Sequence, residues 1–461
     1  MQIRFFNSLS KSIEEFKPTR TGRASLYTCG PTVYDHVHIG NLRTYIFEDL
    51  LRRTLRNNGF NVLHVMNITD IDDKTIKRSR QQFPDEEPHK ALSKLTAKYE
   101  KLFYEDAAKV GIDLTDSKII KATDHIQVMQ DLIRQIPSKY VSDDGIYFDI
   151  ESYKDYGVLV KLDRSHQHHR IDNDEYDKDH VADFALWKIK QAGEPSWEFE
   201  IDGKNLEGRP GWHIECSAMS VKYLGQPFDI HTGGIDLMFP HHENEIAQSR
   251  SAADMPLANY FIHAEHLLVE GRRMGKSLKN FYTLDDIVAK NFDPLAFRLL
   301  TLQAHYRHQL NFTWEALQAA QAFLGRLRAW SDLQFQPALG HKKNVDQTYA
   351  SSLDEIRKTL NDDLNTSQAV AILSSLAGAA ERDGVGIDSL KELLVQIDQL
   401  LGLGLSTRSD ITPDEKSMIV EREKSRESGD WEKADQLRKQ LLARSLEIND
   451  TPHGPVWSRT N

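Results

Sequence analysis

The chain of 461 residues is longer than one hydrophobic core usually serves, so two to four domains are expected. A formal charge of −11 excludes a uniformly basic nucleic-acid binder while leaving room for a local basic face, and no run of about 18 apolar residues marks a membrane span. Met1-Gln2-Ile3-Arg4 does not open a signal peptide, and the only two cysteines, Cys29 and Cys216, need not pair, which fits a reducing cytoplasm.

Residues 24–29 read as a short apolar strand ending at Cys29, with Gly30-Pro31 after it. Ile39, Leu42, Ile46, Phe47, Leu50, Leu51 and Leu55 then recur at threes and fours, which predicts a helix that Gly59 stops. A second strand follows at 62–66. Such a crossover makes the two strands parallel, with ligands beyond their carboxyl ends, where Cys29 and the turn Asn67-Ile68-Thr69-Asp70 fall. Residues 84–185 are charged and lack a single period, as an insertion into an α/β domain would, and the His-rich basic stretch 164–170 reads as a solvated loop. Strands return at 228–231, running into Thr232-Gly233-Gly234, and at 260–269. Beyond Asp285 the pattern is helical, with amphipathic repeats over 316–330 and 354–401 and a linker at 335–345 that contains Pro337 and Gly340. A charged helix over 414–442 and a turn-rich end form the last unit.

Four groups of residues carry chemistry. His38, Gly40 and Asn41 open the first long helix, whose amino end offers unpaired N–H groups to phosphate. There Gly40 lets a purine or ribose approach the backbone, while His38 and Asn41 can donate to oxygens. In Arg273-Met274-Gly275-Lys276-Ser277, Lys276 can neutralise charge that builds during phosphoryl displacement, although a charged surface turn would look the same. Asp236 ends another strand-to-loop run, placed either to accept from ribose hydroxyls or to cap the next helix. Cys29 and Cys216, with His241 and Glu245 at helical spacing, make a donor set that suits zinc; two cysteines so far apart are more often unrelated buried hydrophobes.

Taken together, segments 29–41, 67–74, 211–219, 228–249 and 273–280 resemble the class I aminoacyl-tRNA synthetases, and among them the cysteinyl-tRNA synthetase family. Residues 362–366 are similar to the start of that family's helical tRNA-binding domain, and 434–457 to its C-terminal tail. The resemblance implies an α/β fold: a Rossmann-like parallel-sheet catalytic domain (1–83 and 186–284) with a connective insertion (84–185), then a helical stem-contact region (285–334), a helical tRNA-binding bundle (346–405) and a small C-terminal anticodon-binding domain (413–461). It implies activation of L-cysteine by ATP, accompanied by Mg2+, and transfer to tRNA(Cys). One zinc ion would be held by Cys29, Cys216, His241 and Glu245 and would select the substrate thiolate over a serine hydroxyl.

By the same resemblance His38, Gly40, Asn41, Asp236 and Lys276 would bind ATP, with His38, Asn41 and Lys276 steadying the reacting phosphate. Gly30, Thr69 and Trp212 would line the cysteine pocket, against the plainer readings of Trp212 as a core aromatic and Thr69 as a turn cap. Trp431, Asp435, Arg438 and Trp457 would contact tRNA, by stacking and edge hydrogen bonds. Two positions depart from the pattern: Asn41 stands where many class I enzymes have His, and Arg273-Met274-Gly275-Lys276-Ser277 replaces Lys-Met-Ser-Lys-Ser. Two other functions share the catalytic half: a ligase passing cysteine to an amino sugar in thiol biosynthesis, which lacks a tail like 413–461, and a catalytically silent tRNA-binding paralogue, for which Gly275 is the support. With every part on one chain, a monomer is expected.

Overall fold

The computed structural model describes residues 2–161, 183–275, 278, 280–336, 345–383, 387–451 and 454–459. The chain divides into two compact units, residues 1–289 with 306–312 and residues 290–305 with 313–461.

The first unit is built on five parallel strands: β1 (Arg23–Thr28), β2 (Asn61–Ile68), β3 (Lys118–Lys121), β4 (Phe228–Gly234) and β5 (Ala258–Ala264). Their spatial order is β5-β4-β1-β2-β3, so the order reverses at β1 and β4. Leu26, Tyr27, Val65, Ile230 and Ile262 are fully buried, as both faces of a parallel sheet require. Helix α1 (Ile39–Asn57) makes the first crossover, presenting Leu42, Ile46, Leu50, Leu51 and Leu55 to the interior.

Three expectations change. Residues 84–185 are not one insertion, because β3 lies inside them and pairs with β2 from Val65↔Lys118 to Ile68↔Lys121. Only four residues long and ending in lysines, this edge strand carries too little period to read. Lys139–Val141, Gly145–Phe148, Phe184–Ile189 and Gly208–Pro210 form a separate four-stranded antiparallel sheet. The His-rich stretch 164–170 lies outside the described residues. Residues 260–269 are two strands, not one: β5 stops at Ala264, and Leu267–Val269 joins Arg272–Arg273 and Leu310–Phe312 in a separate sheet. At the break the carbonyls of Glu265 and His266 accept from the Arg43 guanidinium.

The second unit contains the helices Pro294–Leu302, Trp314–Asp332, Val345–Asn361, Thr366–Asp383 and Ile387–Leu401. The charged segment 414–442 is a pair of helices, Pro413–Glu427 and Trp431–Ala443, rather than one. Gly429 at φ 80° and the Asp430 cap, accepting from Lys433 N–H, break it. A hairpin of Leu446–Thr451 and Gly454–Arg459 closes this last part over Ile411, Met418, Ile419, Leu437, Leu441 and Trp457.

Candidate active site and metal centre

Two cavities open at the carboxyl ends of β1 and β4, the switch point at which parallel α/β sheets bind ligands. Residues 30–35 leave β1 there. Gly30 donates its N–H to Asn67 Oδ1 at 3.1 Å, and a Cβ at Gly30 would lie 1.8 Å from the Asn67 carbonyl oxygen, so the approach of the two chains requires glycine. His38 caps α1. Its Nδ1 accepts from Asn41 N–H at 3.1 Å while Asn41 Oδ1 accepts from His38 N–H at 3.3 Å. With Nδ1 accepting, a neutral His38 ring carries its proton on Nε2, and Asn41 keeps its Nδ2 donors.

The smaller cavity, about 210 Å³, has His38, Gly40, Asn41 and Asp236 on one side and residues 264–267, Arg273 and Met274 on the other. A second cavity of about 260 Å³ shares His38, Asn41, Thr44 and Asp236 and extends to Cys29, Gly30, Lys74, Trp212 and Phe281. Asp236 sits in the short turn Ile235–Leu237, which has no side-chain cap, so its placement is that of a cavity residue and not of a helix cap. Lys276 lies outside the described residues. The described chain on either side of it reaches the cavities through Met274 and Phe281, and Asn280 ties the loop's stem by accepting from Gly275 N–H at 2.9 Å and donating to the Arg273 carbonyl at 3.0 Å.

Behind the second cavity lies a buried cluster in which ligand atoms of Cys29, Cys216, His241 and Glu245 all fall within 4.8 Å of one another. The two sulfurs are 3.9 Å apart, too far for a disulfide, and His241 Nε2 is 3.1 Å from Glu245 Oε1. Burial pushes both thiols up, Cys29 well above the ordinary range, and lowers His241 to about 3, so the imidazole is neutral. Two thiols, a carboxylate and a neutral imidazole without bulk water form a set that a divalent cation with affinity for sulfur and nitrogen would satisfy, and Glu245 Oε1 accepts no hydrogen bond here. Trp212, the first residue of Trp212–Leu224, stacks on His241 at 4.3 Å with planes 27° apart.

Four further histidines surround the cluster, and helical spacing did not point to them. His213 Nδ1 is 2.8 Å from His241 Nδ1, and His231 Nε2 is 2.9 Å from Glu245 Oε2. His242 Nε2 is 3.5 Å from Cys29 Sγ, and its Nδ1 meets His263 Nε2 at 2.8 Å. Cys29, His231, His242 and Glu245 thus form an overlapping donor group. His242 faces inward beside His241 because residues Met238–His242 form a π-type turn with Phe239 out of helical geometry. The neighbouring pair His241-His242 was the available signal.

Thr69 is buried, accepts from Asn67 Nδ2 at 3.1 Å, and is not among the residues lining either cavity; the cap of the following helix is Asp72. In the second unit Trp431, Asp435 and Arg438 are exposed at i, i+4 and i+7 of Trp431–Ala443, on one face. Trp457 is 2 % exposed in the apolar core of the C-terminal part, so it is a packing residue and not a stacking surface for bases.

Residues 15–322 match the sequence pattern of the tRNA synthetases class I (C) catalytic domain. The chain is 42% identical to a cysteine–tRNA ligase of Solibacter usitatus over all of both chains, and 40% identical to one of Brachyspira hyodysenteriae over 99% of each. In fold it is similar to a Mycobacterium tuberculosis methionyl-tRNA synthetase in complex with methionyl-adenylate, with a TM-score of 0.60 at 12% identity over 84% of this chain and 93% of that one. The sequence pattern and the full-length relatives agree: the chain belongs to the cysteine–tRNA ligase family of class I tRNA synthetases.

Proposed function

We propose that this chain activates L-cysteine with ATP and transfers the cysteinyl group to the 3′ end of tRNA(Cys), with a zinc ion held by Cys29, Cys216, His241 and Glu245. The observation that carries this reading is one cavity lined both by Cys29 of the buried thiol–imidazole–carboxylate cluster and by the His38, Asn41 and Asp236 side chains. When bound, zinc supplies a soft Lewis acid that favours a sulfur donor over a hydroxyl. Trp212, stacked on His241, and Gly30 shape the amino-acid end of the cavity.

His38 Nε2–H, Asn41 Nδ2 and the open end of α1 face the phosphates of ATP, which arrives with Mg2+; Asp236 accepts from ribose hydroxyls. The cysteine carboxylate oxygen attacks the α-phosphorus, the bond to pyrophosphate breaks, and Lys276 balances the charge on the leaving phosphates. No side chain is required as nucleophile or base, so rate comes from positioning and electrostatics. A ribose hydroxyl of the terminal nucleotide of the tRNA then takes the acyl group and AMP departs. Trp431, Asp435 and Arg438 offer an exposed aromatic and polar face to single-stranded bases. The parts reside on one chain, which fits a monomer, and thiols kept reduced fit the cytoplasm; no helix among the described residues is long and apolar enough to cross a membrane.

Two assays on one preparation test the reading. Cysteine-dependent exchange of pyrophosphate into ATP, without tRNA, is expected, as is charging of tRNA(Cys). Exchange without charging would move the chain to the amino-sugar ligases, and neither activity would leave a silent binder.

A further inference from the structure

We propose that Arg43 is a positioning residue for ATP: from beneath α1 it holds the backbone wall against which the nucleotide lies. This inference rests on the nucleotide reading of the smaller cavity. Arg43 follows Asn41 by two residues, yet its side chain turns away from the cavity and is 4 % exposed. Nη1 donates to the carbonyls of Glu265 at 2.7 Å and His266 at 2.5 Å, and Nη2 donates to the carbonyl of His308. Glu265 and His266 are themselves the wall, together with Ala264 and Leu267.

The wall needs such a support. Residues 265–266 lie between β5 and the strand Leu267–Val269, outside both sheets, so the Glu265 carbonyl lacks a ladder partner and takes the guanidinium instead. Glu265 N–H donates to the Tyr306 carbonyl at 2.8 Å, and the Tyr306 ring stacks on Phe47 at 4.7 Å with planes 17° apart. Arg43 and Phe47 are i and i+4 on α1, so one face of the helix grips the wall and the chain behind it at two points. The same helix opens at its cap His38, with Asn41 in its first turn. One rigid helix therefore sets the distance between the phosphate-facing donors and the wall.

A guanidinium suits this task and an ammonium does not. Three carbonyls approach from two chain segments, and a planar fork of fixed donors reaches them together, whereas a lysine is a single point on a flexible stem. Burial lowers the Arg43 pKa to about 10, so the cation persists at neutral pH among carbonyl dipoles. The cysteine end of the site, at Cys29 and Trp212, has no contact with this clamp among the hydrogen bonds that Arg43 makes.

The test uses the full-length chain in cysteine-dependent pyrophosphate exchange. Arg43→Lys and Arg43→Gln are expected to raise the KM for ATP about tenfold or more, with the KM for cysteine within about twofold of the parent and bound zinc unchanged. An unchanged KM for ATP in a folded variant, or equal rises for both substrates, would overturn the inference. If neither variant folds, hydrogen exchange on the parent chain decides. A non-hydrolysable ATP analogue should slow exchange at residues 264–268 and 306–310, and protection at 38–44 without protection there would sink the proposal. A parent chain that binds the analogue but shows no cysteine-dependent exchange would refute the activity, and the hydrogen-exchange pattern at 264–268 and 306–310 would then decide the Arg43 inference alone.

Discussion

At the scale of single residues, the site depends on atoms that leave no room for substitution. Gly30 is the sharpest case: the Asn67 carbonyl occupies the place of a side chain, so Gly30→Ala must push apart the chain beyond β1 and the end of β2. A stability loss of about 1–3 kcal/mol is expected. It should appear in denaturant unfolding of the first unit together with loss of pyrophosphate exchange, and an active, equally stable variant would refute the steric argument. His38 shows what could and could not be read beforehand. Its residue type at a strand-to-helix turn pointed to phosphate, but its service as the cap of α1 depends on extended backbone at φ −90°, ψ 165°, which no spacing reveals. The inner histidines were illegible for a related reason: His231 is brought in by sheet register and His242 by a π-type turn, neither of which follows a period of 3.6.

At the scale of elements, the sequence showed periods well and interruptions poorly. Strands β1, β2 and β4 and helix α1 carry long apolar patterns, and each was recognisable. β3 is short and sits at an edge, and residues 264–267 look like uninterrupted strand because the carbonyls freed at the break are satisfied by a distant arginine that no local pattern shows. In the last part of the chain, one charged run hid a turn at Gly429. Trp457 belongs to the same lesson: near the terminus it suggested a surface aromatic, whereas its hairpin folds the ring onto Met418, Leu437 and Leu441. Trp457→Ala should therefore cost about 3–5 kcal/mol in the second unit, measured by denaturant unfolding of the full chain. A loss of tRNA affinity with unchanged stability would restore the surface role.

At the scale of the whole molecule, all four proposed zinc ligands lie in the first unit, and the exposed Trp431 face lies in the second. Chelation should then act on one unit alone. Metal bound at a thousandfold excess over its Kd stabilises the folded state by about 4 kcal/mol. Calorimetry with and without a chelator is expected to show the first unit's transition lowered by that order, the second unit's unchanged, and recovery on adding zinc. Equal shifts in both transitions, or none, would count against a metal confined to this cluster. How far the sequence reached is clearest here: the rarity of cysteine and the order of the signature segments picked out four side chains that the fold brings together, while the boundary between units, which sends 306–312 back into the first, follows from pairing with Leu267–Val269 that only folding reveals.

The turn that carries two of those ligands has a second side. Between His241 and Glu245, Asn244 accepts from the Tyr156 hydroxyl at 2.5 Å, and the Glu243 carboxylate accepts from four successive backbone N–H groups, Gly157 to Val160, at 2.8–3.3 Å. The intervening letters are thus not spacers. Anyone transplanting this centre onto another scaffold would have to move the 156–160 loop with the 241–245 turn, besides the segments that bear Cys29 and Cys216, because two of the four donor side chains and the anchor that orients them are written into the same five residues.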